Sequence, residues 1–344
     1  MSTPDVIAPP SPARPRPPAR DGARRQQRAG RRSALLLILP TLVLLAVVIG
    51  YPIVSAVVMS FEKDAGLDPA TGLFVQGGFA GFENYAHWLL QRCMGPDGAV
   101  IACPPGSLGA QFWNATLVTF FFTVVTVALE TVLGVWFAVV MNRAFRGRAI
   151  VRAAILVPWA VPTAVTAKLW FFIFSAAGVA NAVLGAQILW TSDEWASRFA
   201  IIIADTWKTA PFMALLILAG LQIIPEEVYE AARMDGASTW QCFWSVTLPL
   251  LKPALLVAIL FRVLDALRMY DLPAILTGGG GGDGHATTTL SILVVDQIRQ
   301  GFNGAAALST ITFIIIFGVA LIFVRVLGAD VVRTQQAQQK GARR

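Results

Sequence analysis

The sequence predicts an all-α integral membrane protein with six transmembrane helices, and both its composition and its pattern of apolar runs support this fold class. Of the 344 residues, 56% are hydrophobic and only 14% are charged, whereas about a quarter of a typical soluble domain is charged. Apolar runs of the roughly 20 residues that a bilayer-spanning helix needs recur along the chain between polar loops. This pattern excludes a soluble enzyme.

The net charge of +7 is better explained by membrane topology than by nucleic-acid binding. Many of the arginines concentrate in residues 1–32 and in one short loop, residues 142–152. Basic residues that flank apolar spans mark the cytoplasmic side of a membrane protein. We therefore expect both segments to be cytoplasmic.

Residues 1–32 are predicted to form a disordered basic cytoplasmic tail. They contain seven Pro and eight Arg and almost no large apolar residues, so burial cannot offset the entropy of ordering them. The cluster RRQQRAGRR then leads directly into an apolar run from Ser33 to about Met59. A cleaved signal peptide would also begin basic, but this run is too long and lacks a small-residue cleavage site. We interpret it as the first span.

The five later spans follow from the apolar runs and from the charge of the loops between them. Residues 62–111 and 176–197 contain few basic residues and are expected outside the cell, which places both chain ends in the cytoplasm. Pro158 and Pro162 are expected to kink the third span. The second to sixth spans are predicted at 112–141, 150–175, 198–223, 252–276 and 305–327.

A polar segment between the fourth and fifth spans, residues 225–249, begins with the pattern of a short helix. Pro225 suits a first helical position, and the two glutamates that follow lie where the helix dipole favours negative charge. Gly236 can adopt the left-handed conformation that ends a helix. A helix over about 226–235 is therefore predicted.

A second short helix is predicted directly after this turn. Ser238, with Gln241 three residues later, forms a capping-box signature. Pro249 and Pro253 are expected to end this helix before the next apolar run. The result would be a compact pair of helices at the membrane surface.

Three short motifs in this segment carry a family resemblance. Glu230-Ala231-Ala232, Asp235-Gly236-Ala237 and Leu248-Pro249 resemble the EAA coupling loop of the membrane subunits of ATP-binding-cassette (ABC) importers. The flanking runs WKTAPFMALLILAGL and LFRVLDALRMYD are similar to the sugar-importer permeases typified by the maltose permease. The resemblance covers residues 33–329, which would form the permease domain, followed by a cytoplasmic tail at 330–344.

The resemblance implies that this chain is one subunit of a larger assembly in a bacterial cell membrane. The implied partners are a second homologous permease subunit, an ABC ATPase dimer that binds ATP and Mg²⁺, and an external sugar-binding protein. This chain would be non-catalytic and would bind no cofactor itself. The residues implied to couple it to the ATPase are Glu230, Ala231, Ala232, Asp235 and Gly236.

The glycine run Gly278–Gly282 does not predict an ATP site. A phosphate-binding loop of the Walker type needs Lys followed by Ser or Thr, whereas Asp283 and Gly284 follow this run. We expect a flexible turn outside the cell.

Four ionisable residues inside predicted spans are candidates for substrate contact, because an unpaired charge at mid-membrane is costly unless it faces a cavity. Asp205 and Lys208 lie three residues apart on the fourth span, and Asp265 and Arg268 are spaced likewise on the fifth. Each pair therefore shares a helix face, where carboxylates and cationic donors could bond sugar hydroxyls. The alternative is that these four residues form buried ion pairs between spans.

Carried over residue by residue, the maltose-permease pocket corresponds to seven positions: Asp205, Lys208, Thr209, Phe212, Phe261, Asp265 and Arg268. The maltose permease has mostly amide, hydroxyl and small residues where this chain has charges, so the resemblance does not imply maltose itself. Lys168 and Arg262 are further candidates, and the alternative for Arg262 is contact with backbone carbonyls of a neighbouring helix.

Trehalose or a related α-glucoside is the leading substrate, because the same flanking runs are similar to trehalose-importing permeases of actinobacteria. Maltose and glycerol phosphate are alternatives, since Lys208 and Arg268 could together bind a phosphate. A proton-coupled secondary transporter would instead use Asp205 or Asp265 and need no ATPase. A membrane scaffold or sensor would need no polar pocket.

The cysteines and histidines predict no metal site. His87 and His285 are far apart in the sequence, and three Cys cannot build a recognisable zinc cluster with them. Cys93 and Cys103 fall in one loop that is expected outside the cell, where a disulfide is permitted. Pairing of these two thiols and two unpaired loop thiols both stay open.

Overall fold

The structure is a computed structural model that describes residues 37–67, 72–95, 99–282 and 284–341. The predicted disordered tail, residues 1–32, lies outside these ranges. The chain divides into two compact units, Met1–Ser55 and Ala56–Arg344. Helix α1, Leu37–Met59, contains a π-helical stretch at Ala46–Gly50. Its apolar side chains are exposed, as expected for a helix surrounded by lipid.

Helices dominate the rest of the described chain. They are α2 (Glu83–Leu89), α3 (Phe112–Asn142), α4 (Arg148–Ala160), α5 (Thr163–Ile173), α6 (Val179–Leu184), α7 (Glu194–Leu221), α8 (Glu226–Met234), α9 (Thr239–Cys242), α10 (Leu248–Ala266), α11 (Asp271–Leu276), α12 (Leu290–Ile298) and α13 (Phe302–Gly341). Two further helical stretches are a 3₁₀ turn at Gly109–Gln111 and a π-helical segment at Phe243–Thr247. Within the described ranges, five helices are long and apolar enough to cross a membrane, or six if the bent pair α4–α5 counts as one span.

Three short two-stranded antiparallel sheets lie in the long loop after α1. Strand β1 (Glu62–Lys63) pairs with β4 (Gly78–Phe79), β2 (Gly66–Leu67) pairs with β3 (Phe74–Val75), and β5 (Arg92–Met94) pairs with β6 (Val100–Ala102). The prediction of an all-α chain missed these strands, as well as the buried helix α12. Each of these elements is too short to produce a clear periodic pattern.

Close helix packing forms the centre of the bundle, where α3 and α7 run side by side. A methyl group at Gly134 of α3 would lie 2.7 Å from the Cβ atom of Met213 on α7, and one at Gly220 of α7 would lie 2.4 Å from the Cβ atom of Ala254 on α10. Small residues at such contacts let helix backbones approach closely in a membrane. These glycines therefore set the spacing of the three central helices.

The third predicted span is broken and not merely kinked, because α4 and α5 meet at 95°. Pro158 lies inside α4, and the chain is extended at Val161 and Pro162 before α5 begins. A residue before proline avoids helical conformation, and proline has no N–H to continue the helical hydrogen bonds. Of the two prolines predicted to kink this span, Pro162 lies at the break and Pro158 lies inside α4.

The fifth span also differs from its prediction. Pro249 and Pro253 do not end a helix, since one continuous helix runs over Thr239–Ala266. Pro249 lies at the start of α10, where a missing N–H is tolerated, and the wider π-helical turn just before it changes the local hydrogen bonding. The helix then stops at Ala266, so the predicted extension to residue 276 is a separate short helix, α11.

We predict that Gly134→Val destabilises the bundle by about 1–3 kcal/mol, because the new side chain would overpack against Met213 on α7. The measurement is the midpoint of thermal unfolding of the detergent-solubilised protein. Gly318→Val is the matched control, since no atom lies within 4 Å of a methyl group there. Equal unfolding midpoints for the two variants would contradict the packing argument.

Candidate functional site

A buried arginine, Arg262 on α10, joins three helices at the centre of the bundle. Its guanidinium group contacts Glu130 of α3 through Nε and Nη2, Asp205 of α7 through Nη2, and Asp265 of its own helix through Nη1. The Nη2–Oε1 distance to Glu130 is 3.0 Å and the Nη1–Oδ2 distance to Asp265 is 2.9 Å. The Thr209 hydroxyl donates to Glu130 Oε1 at 2.5 Å. We call these five residues the Arg262 cluster.

The Arg262 cluster is closed on one side and open on the other. The side chains of Glu130 and Asp205 are 0% and 9% exposed, whereas that of Asp265 is 72% exposed. The planar guanidinium group can donate to several carboxylates at once, which suits it to a buried ion pair better than a lysine. The closed side holds α3, α7 and α10 together, and the open side presents a carboxylate.

The seven residues predicted for the pocket divide into two groups. Asp205 and Thr209 belong to the closed side of the Arg262 cluster, and Lys208 donates to the carbonyl of Val161 at 2.9 Å, at the break between α4 and α5. Phe212 stacks on Trp159 of α4, with ring centroids 5.8 Å apart. The exposed group lies at the C-terminal end of α10 and comprises Phe261 and Asp265 on the helix and Arg268 in the turn that follows it.

The structure supports in part the alternative that the charged residues form buried ion pairs between spans. Asp205 does form a buried ion pair, but its partner is Arg262 and not Lys208 or Arg268. The alternative that Arg262 contacts backbone carbonyls of a neighbouring helix was wrong, because its guanidinium group pairs with carboxylates. Glu130 was missed, although it is the only ionisable residue in the predicted span 112–141. A lone acid in an apolar span is itself a signal of a buried partner.

The polar segment at residues 225–249, here the EAA-type segment, has the predicted helix-turn-helix form. Helix α8 ends at Met234, Gly236 adopts a left-handed conformation with φ of +80°, and both hydrogen bonds of the Ser238–Gln241 capping box are present. No residue of α8 is buried, and Met234 is 88% exposed. The four other residues implied to couple to an ATPase lie on or next to this exposed helix: Glu230, Ala231, Ala232 and Asp235.

The opposite end of the bundle carries a disulfide between Cys93 and Cys103, which joins β5 to β6. We call this the disulfide end. His87 lies beside it, and one ligand atom of His87 and the two sulfurs all lie within 4.8 Å of one another. Burial of the His87 ring lowers its pKa, which favours the neutral form. Sulfurs joined in a disulfide are not thiolates, the form of cysteine that binds metals.

The described architecture, with five or six membrane-length helices, a central ion-pair cluster and an exposed helix-turn-helix, is that of a multi-pass membrane protein. A family model described as "Binding-protein-dependent transport system inner membrane component" matches residues 130–333. The chain belongs to this family, whose members are non-catalytic membrane subunits of ABC transporters.

Curated relatives of similar length are permease proteins. The chain is 39% identical to the trehalose/maltose transport system permease protein MalF of Thermococcus litoralis, over 85% of this chain and 92% of that one. It is 35% identical to the trehalose transport system permease protein SugA of Mycobacterium tuberculosis, with coverage of 88% and 90%. It is 36% identical to the sulfoquinovosyl glycerol transport system permease protein SmoG of Agrobacterium fabrum, with coverage of 86% and 90%.

A solved structure shares the fold. It is the crystal structure of a bacterial ABC transporter involved in the import of the acidic polysaccharide alginate, which matches with a TM-score of 0.70 at 19% identity. The match covers 89% of this chain and 99% of that one.

We predict that Arg262→Ala destabilises the protein by about 3–5 kcal/mol, because it leaves the carboxylates of Glu130 and Asp205 buried without their partner. Thermal unfolding of the solubilised protein measures this change. Arg268→Ala, in the turn just after the same helix, is the matched control, since Arg268 is exposed. A loss of stability as small as that of the control would show that the Arg262 cluster does not hold the bundle together.

Proposed function

We propose that this chain is a permease subunit of an ATP-driven sugar importer and that its substrate is trehalose or a related α-glucoside. The observation that carries this proposal is the extensive similarity to two permeases whose names include trehalose, at 39% and 35% identity. The EAA-type segment supports the dependence on an ATPase, because a rigid exposed helix pair suits docking to a partner.

The proposed orientation places the EAA-type segment and both chain ends in the cytoplasm, with the disulfide end outside the cell. Two observations support it. Four arginines lie in or next to the loop between α3 and α4, at the same end as the EAA-type segment: Arg143, Arg146, Arg148 and Arg152. The disulfide lies at the other end, where an oxidising environment would preserve it.

The proposed partners are a second permease subunit, a dimer of ABC ATPases that binds ATP and Mg²⁺, and an external sugar-binding protein. The family description supports the last of these, because it is that of a binding-protein-dependent system. This chain would perform no covalent chemistry. Its contribution would be a path for the sugar and a mechanical connection between that path and the ATPase.

The continuous helix Thr239–Ala266 is the proposed mechanical connection. It begins in the EAA-type segment and carries Arg262 and Asp265 near its other end. At 1.5 Å per residue, the distance from Thr239 to Arg262 is about 35 Å. When the ATPase closes and moves the EAA-type segment, this continuous helix could therefore transmit the movement to the centre of the bundle. Such a connection suits an alternating-access mechanism.

Sugar contact is proposed for the exposed group at the C-terminal end of α10. The Asp265 carboxylate and the Arg268 guanidinium can bond hydroxyls, and the exposed ring of Phe261 can cover an apolar sugar face. Asp205, Lys208 and Thr209 would act indirectly, since their polar groups already contact other parts of the protein. Arg262 would position Asp265 for the substrate.

An anionic substrate such as glycerol phosphate is the second candidate. Arg268 supports it as an exposed cation beside the proposed path, and the relative named for sulfoquinovosyl glycerol supports a wider substrate range in this family. A proton-coupled secondary transporter has no such support, because the chain belongs to a family of binding-protein-dependent transport systems.

The test is uptake of labelled trehalose into vesicles that contain this subunit with its second permease, ATPase and binding protein. We expect saturable, ATP-dependent uptake that unlabelled trehalose blocks and glycerol phosphate does not. Asp265→Ala should reduce uptake at least about tenfold, as expected for a lost charge-assisted hydrogen bond. If another compound blocks uptake and trehalose does not, that compound would replace trehalose as the proposed substrate. Uptake without ATP would overturn the assignment as an ATP-driven importer.

We also predict that Gly236→Val uncouples ATP hydrolysis from transport, because a β-branched residue disfavours a φ of +80° by about 1–2 kcal/mol or more. No atom lies within 4 Å of the added Cβ position, so the effect would come from the backbone and not from a clash. Uptake per ATP hydrolysed is the measurement. Gly236→Asn is the matched control, since asparagine tolerates this conformation. Unchanged coupling in the valine variant, with the ATPase still bound, would refute the role of this turn.

A further inference from the structure

We propose that a polar cavity at the disulfide end binds a neutral, hydroxyl-rich ligand of the sugar class, at a site separate from the exposed group at the C-terminal end of α10. This inference rests on the proposed function for its biological ligand and on the proposed orientation for its position outside the cell. The cavity has a volume of about 470 Å³, within the usual range for small-molecule sites. Its polar lining side chains are Gln111, Asn114, Glu194, Arg198 and His285.

Contacts within the protein hold these side chains in place. The Asn114 amide nitrogen donates to the carbonyl of His285 at 3.0 Å, and Arg198 Nε donates to the carbonyl of Ala286 at 3.1 Å. Arg198 Nη1 also pairs with Glu194 Oε1 at 2.7 Å, and its guanidinium carbon lies 4.8 Å from the centroid of the Trp195 ring. Because these groups are already ordered, a ligand would lose little affinity to the cost of ordering them.

Two glycines pack against the start of α7, next to the cavity residue Glu194. A methyl group at Gly281 would lie 2.5 Å from the Ser197 hydroxyl oxygen, and one at Gly282 would lie 3.0 Å from the Cα atom of Glu194. The glycine run therefore packs closely against the start of α7. The expected flexible turn is instead a hydrogen-bonded loop, in which Thr287 and Thr288 donate to the carbonyls of Gly280 and Gly279 at 2.7 Å.

One residue that lines the cavity, His285, has an unpartnered ring nitrogen. Among the described residues, the Nδ1 atom of His285 is buried and has no hydrogen-bond partner. Buried polar atoms almost always have a partner, and each exception needs an explanation. Because this atom has almost no accessible surface, a ligand hydroxyl in the cavity would become its partner through a rotation of the imidazole ring.

The remaining polar groups favour a neutral ligand with many hydroxyls. Asn114 uses its amide nitrogen for its contact with His285, so its amide oxygen can accept a hydrogen bond from a ligand. The charges of Glu194 and Arg198 offset one another, which favours neither an anion nor a cation. Hydroxyl groups both donate and accept, and therefore match this mixture of donors and acceptors.

The test follows the imidazole signals of the assembled importer, labelled with ¹⁵N-histidine in nanodiscs without its binding protein. This chain has two histidines, so the His285 signal can be assigned by its loss in His285→Gln, and the His87 signal serves as an internal reference. Trehalose should shift the His285 signal saturably and leave the His87 signal in place. Glycerol phosphate should shift it less at equal concentration.

Variants test the geometry of the site. Asn114→Ala should raise the trehalose concentration at half-saturation about fivefold, whereas Asn114→Asp, which keeps an acceptor oxygen, should change it less. Asn84→Ala is the matched control, because Asn84 also donates to backbone carbonyls but lies outside the cavity. It should leave the half-saturation concentration unchanged.

Several outcomes would overturn the inference. One is a His285 signal that trehalose does not shift in an importer that takes up trehalose. Another is an equal effect of Asn114→Ala and Asn84→Ala on the half-saturation concentration. The last is that Asn114→Ala weakens docking of the binding protein and leaves sugar binding unchanged. The last would show that the cavity receives a protein side chain. If the importer takes up no sugar but trehalose still shifts the His285 signal, the proposed function fails and the cavity site stands.

Discussion

The guanidinium group of Arg262 is the interaction on which the rest of the bundle depends. It lies in the middle of an apolar protein, where an isolated charge is costly, and it binds carboxylates from α3, α7 and its own helix α10. The same helices approach closely at Gly134 and Gly220. Ion pairing and close packing therefore act between the same three helices, and none of them can move relative to the others without changing the contacts of Arg262.

In the proposed transport cycle, one helix connects the EAA-type segment to the Arg262 cluster. The helix that carries Arg262 is continuous with the second half of the EAA-type segment, and a π-helical turn at Phe243–Thr247 lies between them. Such turns are frequent at functional sites. A displacement at the segment would reach the Arg262 cluster, where only Asp265 faces outward. The buried carboxylates would keep the helices together while the exposed one meets the substrate.

One charged residue that suggests binding in the sequence, Lys208, serves the backbone in the structure. Lys208 bonds the Val161 carbonyl at the break between α4 and α5, where a helical N–H is missing. A broken helix in a membrane needs such a partner, because no water is present to satisfy the freed group. At the disulfide end, Asn114 and Arg198 similarly bond carbonyls of the loop that follows the glycine run. In that case the contacts also order a cavity.

The sequence by itself determined the membrane class, most span positions and the EAA-type segment, because these depend on local composition, short-range capping and the spacing of apolar residues. Gly236 and the Ser238–Gln241 pair, for example, act on their immediate neighbours along the chain. Only the tertiary structure decided which charges meet. Glu130 and Arg262 are 132 residues apart and pair because α3 and α10 pack together. Side-chain partners across helices depend on that packing, which no local pattern encodes.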